Sequence, residues 1–135
     1  MRVDWAIPCR AAKVEDSLIT IVGAQIDTLF ASGFPAKLTT GLALRLLFDD
    51  AELGGAHDVA LRLTGPELEH LGELNWKLEF GQEPNPAKSP GWEGSHLMAT
   101  LVRFEAPKAG VYTVEVSVDE RHQRTLPFSV RTSSV

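Results

Sequence analysis

From Tyr112 the chain reads Tyr112-Thr113-Val114-Glu115-Val116-Ser117-Val118-Asp119, with a large apolar side chain at every second position and a polar one between. Successive side chains on a strand point to opposite faces, so this segment is expected to set one face in a core and one in water. The rhythm returns at Leu74, Trp76, Leu78 and Phe80, which alternate with Glu73, Asn75, Lys77 and Glu79. It returns again at Val59, Leu61 and Leu63 against Asp58, Arg62 and Thr64. Such patterning, with turn signals roughly every ten residues, predicts an all-β chain: an antiparallel two-sheet β-sandwich of about eight strands, immunoglobulin-like or related. It specifies no reaction.

Length and charge narrow the reading. A chain of 135 residues is expected to form a single β-sandwich domain over 1–135. Such a chain can bury roughly two thirds of the surface its unfolded form exposes, so it needs neither disulfides nor a structural metal. A net charge of -5, with 13 Lys and Arg residues and no basic run, argues against a nucleic-acid partner. No apolar stretch approaches the roughly 18 residues of a membrane-spanning helix. Met1-Arg2-Val3-Asp4-Trp5 lacks the apolar region of a secretory signal, and the single cysteine, Cys9, cannot form an internal disulfide. The expected compartment is cytoplasmic.

The strands can be placed in order. Val3, Trp5, Ile7 and Cys9 fall in phase and are expected to face the core together. Leu18 to Ile26 is apolar on both faces and reads as a central strand, with Gly23 marking a bulge or a close backbone approach. Residues 30–36 read as a connection, followed by a long strand carrying Leu38, Leu42, Leu44, Leu46 and Phe48. Asp49 to Gly54 reads as one helical turn, capped by Asp and ended by Gly. A further strand runs from His96 to Phe104, and the last carries Leu126, Phe128 and Val130. The first and last strands, rich in Val and Phe, are the expected candidates for self-association through an edge or a sheet face.

The segments Val3-Asp4-Trp5-Ala6-Ile7-Pro8-Cys9-Arg10 and Thr20-Ile21-Val22-Gly23-Ala24-Gln25-Ile26-Asp27, with Phe34-Pro35, Gly110-Val111-Tyr112 and Leu126-Pro127-Phe128, form a set of short motifs. In this set the chain resembles an uncharacterised family of short bacterial β-sandwich proteins. The resemblance implies the fold and no activity. The chain departs from that pattern in its final hairpin, where Asp119-Glu120-Arg121-His122 replaces an Asp-Gly turn and is expected to form a wider loop. Gly110-x-Tyr112 also resembles the tyrosine corner of immunoglobulin-like domains, a structural device.

His57, His70, His96 and His122 show no ligand spacing and are expected on the surface near strand ends. Cys9, in phase with the core, is expected to behave as a small hydrophobe rather than a nucleophile. No nucleophile elbow and no phosphate-cradling loop is present. The acidic pairs Glu15-Asp16, Asp49-Asp50 and Asp119-Glu120 lack the spacing of a calcium loop and read as solvated turn charges.

The segment 81–94 stands out for its prolines and for Trp92, which either anchors an interface or folds back to cap the sandwich. Trp5 and Trp76 are expected in the core. The functional expectation is a non-enzymatic binding or assembly module, with no cofactor, acting through a protein partner or as a homodimer joined by an edge or a sheet face. The alternative is a small-ligand or carbohydrate-binding module in which Trp92 stacks on the ligand while Asn85, Glu93 and His96 supply polar contacts.

Overall fold

A computed structural model describes residues 1–81 and 94–133. Nine strands occur among them: β1 Arg2–Glu15, β2 Leu18–Ala24, β3 Thr28–Ala31, β4 Ala36–Phe48, β5 Ala56–Thr64, β6 His70–Glu79, β7 Gly94–Ala106, β8 Gly110–Val118 and β9 Arg121–Thr132. A four-stranded sheet has the order β2-β1-β4-β7, and a five-stranded sheet has the order β3-β9-β8-β5-β6. The only element outside the sheets among the described residues is a 3-10 turn, Asp50–Glu52, where the Asp49 N–H donates to Glu52 Oε1 at 3.1 Å. No helix of the described residues is long and apolar enough to cross a membrane.

The expected sandwich is therefore present. All pairings are antiparallel except β3 with β9, which run parallel from Thr28↔Ser129 to Ala31↔Thr132. Alternation builds the core: Leu42, Leu44, Leu46, Val102 and Phe104 from one sheet meet Val59, Leu61, Leu63, Val114, Val116 and Val118 from the other. Tyr112, Phe104 and Phe128 add a ring cluster with centroids 5.7–5.8 Å apart. Trp76 is half-buried against this core, as expected. The Phe34–Pro35 peptide is cis.

Four expectations fail, each for a non-local reason. First, β1 carries a bulge between Val3 and Trp5. One extra residue inverts the facing of everything after it. Val3, Ala6 and Pro8 therefore pair with the core residues Leu46, Leu44 and Leu42, while Trp5, Ile7 and Cys9 pair with Arg45, Ala43 and Gly41 on the opposite face. Trp5 is thus not a core residue. Cys9 is fully buried (0% exposed), but not in phase with Val3.

Second, the segment read as a central strand is an edge: β2 has β1 on one side and, among the described residues, no strand on the other. Third, the first and last strands offer no edge for self-association, since β1 lies between β2 and β4 and β9 between β3 and β8. Fourth, the final hairpin closes tightly. Val118 pairs with Arg121, and Asp119 (φ 50°) and Glu120 (φ 65°) both take the left-handed backbone of a two-residue turn. The short β3 overlaps the start of the connection expected over 30–36.

Candidate interaction surface

Two features beyond the core organise the molecule: a polar and aromatic end, and a projecting hairpin.

The end is built where β5, β6, β7 and the β8–β9 turn meet. Phe48 and Phe80 stack with centroids 4.3 Å apart, and the His57 and His96 rings lie 6.0 and 5.9 Å from Phe80. His57 Nδ1 lies 2.8 Å from Asp119 Oδ2, and its Nε2 lies 3.1 Å from the Glu52 carbonyl oxygen. Both neighbours are hydrogen-bond acceptors. Asp119 also accepts from the Asp58 N–H at 2.9 Å, while its own N–H donates to the Asp58 carbonyl at 2.8 Å. Burial works to raise the Asp119 pKa, but the hydrogen bonds from His57 and from the Asp58 backbone outweigh it and hold the carboxyl below its usual range. These contacts anchor a turn whose two central residues are not glycine.

His57 and His96 are consequently not free surface histidines. His96 is half-buried beside Phe80, and burial lowers its pKa. Trp92, Asn85 and Glu93, the other residues of the carbohydrate expectation, lie outside the described residues. His70 and His122 are exposed, as expected. Among the described residues no three His, Cys, Asp or Glu side chains gather in a way that could hold a metal ion.

The hairpin is formed by the second half of β1 and by β2. β1 pairs with β4 from Arg2 to Cys9 and with β2 from Cys9 to Glu15, so beyond Cys9 the two-stranded arm leaves β4. The divergence happens over Gly41. A Cβ there would stand 3.0 Å from both the Cys9 carbonyl oxygen and its Sγ, and 3.3 Å from the Ala11 Cα. Only glycine admits so close an approach. The arm then comes near β7. Its tip is a two-residue turn, Asp16 (φ 52°) and Ser17 (φ 61°), joining Glu15 to Leu18.

The arm has two unlike faces. Ala12, Ile19 and Ile21 are half-buried, whereas Leu18, Thr20, Val22 and Ala24 are exposed, Leu18 at 72% and Val22 at 54%. Gly23 has φ +63°, and a Cβ on it would meet the Arg10 side chain, 3.0 Å from Cβ and 3.1 Å from Cδ. The exposed Arg10 stem thus lies against Gly23 of β2.

The edges differ in how they are guarded. β6 carries Glu73, Lys77 and Glu79, and β7 carries Arg103 and Glu105, whereas β3 has only four residues. Charge and brevity are the usual means of blunting an edge. β2, Leu-Ile-Thr-Ile-Val-Gly-Ala, has neither over its seven residues. Sequence reasoning missed this because apolar side chains on both faces signal equally a central strand and an edge that expects a neighbour. The outer face of the five-stranded sheet is instead polar: Asp58, Arg62, Glu73, Asn75, Glu115 and Glu120 line a shallow groove of about 500 Å³.

No curated protein matches the chain. A family model does match it, over residues 4–131, which is nearly the whole length. The chain therefore belongs to DUF6941, a family of unknown function.

Proposed function

We propose that this protein is a non-enzymatic binding or assembly module that acts in the cytoplasm through protein–protein contacts, including contacts between its own copies. The observation that carries this reading is the unguarded edge of β2, with Leu18 and Val22 exposed beside it. Single exposed apolar residues are ordinary on any protein. Here they accompany a row of backbone groups that no strand of the described residues pairs, and edge pairing supplies hydrogen bonds while the neighbouring side chains supply burial. The deeply buried thiol of Cys9 and the absence of other cysteines support the reducing compartment. The bond from the Tyr112 hydroxyl to the Lys108 backbone supports an immunoglobulin-like reading of the sandwich.

Sedimentation of the purified protein, repeated with a panel of glycans while tryptophan fluorescence is followed, tests the proposal. Assembly that ignores the glycans is the expected result. A monomer at high concentration whose fluorescence responds to one glycan would overturn it in favour of carbohydrate binding.

A further inference from the structure

Resting on that reading, we infer that the partner of the β2 edge is a second copy of the same edge, paired antiparallel about a two-fold axis to join two four-stranded sheets into one of eight strands.

The turn determines which backbone groups are available. In a hairpin closed by a two-residue turn, the flanking residues exchange both hydrogen bonds, which here are Glu15 and Leu18. Leu18, Thr20, Val22 and Ala24 therefore direct their N–H and C=O groups toward β1. Ile19, Ile21 and Gly23 direct theirs toward the free side. An antiparallel neighbour must bond through those three residues.

Of the two-fold registers that bond through these residues, the one centred on Thr20 best matches the exposed side chains. It sets Thr20 opposite Thr20 of the second copy, so that Ile19 and Ile21 of each copy bond to Ile21 and Ile19 of the other. Leu18 then stands opposite Val22, pairing the two most exposed apolar side chains of β2 across the seam. Gly23 stands opposite Ser17 of the second copy, the residue next to Asp16. The Arg10 side chain, lying against Gly23, is thereby brought toward Asp16 at the tip of the second copy, whereas Glu15 is held by Lys13 at 2.9 Å. The two-fold repeats that contact at the other end of the seam. Arg10 meets Asp16 twice, and the pairing is self-complementary, as an isologous interface requires. A charged edge would set like against like under the same symmetry; β2 carries no charge to do so.

The test follows sedimentation of the full chain and of three variants. Thr20 is exposed, so Thr20→Lys keeps the fold while placing two ammonium groups opposite each other; it should raise the dimer dissociation constant about tenfold or more. Val111→Lys, at an exposed position on β8, should leave assembly unchanged. Thr20→Cys should form an intermolecular disulfide under mild oxidation, because unbonded cross-strand pairs bring Cβ atoms close enough for one. Wild type, with Cys9 buried, should not. If wild type assembles but Thr20→Lys assembles equally well and Thr20→Cys does not cross-link, the β2 pairing is wrong while the assembly reading survives. If wild type is monomeric at high concentration, the pairing falls together with self-association.

Discussion

The Tyr112 hydroxyl donates a 2.5 Å hydrogen bond to the Lys108 carbonyl oxygen, four residues upstream, and so ties the β7–β8 turn to the ring cluster of the core. The ring is fully buried and stacks on Phe128 at 5.8 Å, so one side chain fills core volume and closes a turn. Tyr112→Phe keeps the packing and leaves the Lys108 carbonyl without this donor. It should cost about 1 kcal/mol in urea denaturation, and Tyr112→Ala about 3–5 kcal/mol. Equal losses for the two variants would show that the hydroxyl, not the ring, dominates, contrary to this account.

Asp119 gives the fold a dependence on acid. Its folded pKa lies below the unfolded value of about 3.9, so its contribution is present above that value and is lost as pH falls through the lower, folded one. Asp119→Asn should therefore lower stability at neutral pH and flatten the loss of stability below about pH 4. Chemical denaturation of both proteins across that range checks it. Parallel curves for wild type and variant would remove Asp119 from the acid response.

Cys9 is buried, and burial pushes its thiol pKa up, which leaves little of the nucleophilic thiolate. The native protein should react with a disulfide reagent only at the rate at which it opens, and completely in denaturant. Rapid stoichiometric labelling of folded protein would contradict the described packing of the arm over Gly41.

Gly41→Ala should destabilise by about 1–3 kcal/mol, since the added carbon must displace the backbone of β1 at the point where the arm departs. Gly72 offers a control: a Cβ there meets nothing within 4 Å, so Gly72→Ala should stay within about 0.5 kcal/mol of wild type. Thermal or denaturant unfolding separates the two.

Much of the fold could be read from residue order. In β8 and β5 the alternation of Tyr112 to Val118 and of Val59 to Leu63 matches the buried positions one for one. The turn at Asp49 to Gly54 and the Tyr112 device were visible for the same reason, since their partners lie within a few residues. The candidate surface was less legible. Trp5 faces away from the core because of one inserted residue in β1, and β2 is an edge because of which strand lies beside β1. The tight turn at Asp119 and Glu120 depends on His57 and Asp58, some sixty residues earlier.

Residue order alone dictated that pleated strands would separate apolar from polar side chains, because neighbouring residues point to opposite sides of any strand. Strand order, the bulge that turns Trp5 outward and the exposure of β2 were decided only in the tertiary structure. Each is a competition among segments distant in the chain for the same backbone partners, and local alternation is the same whichever segment wins.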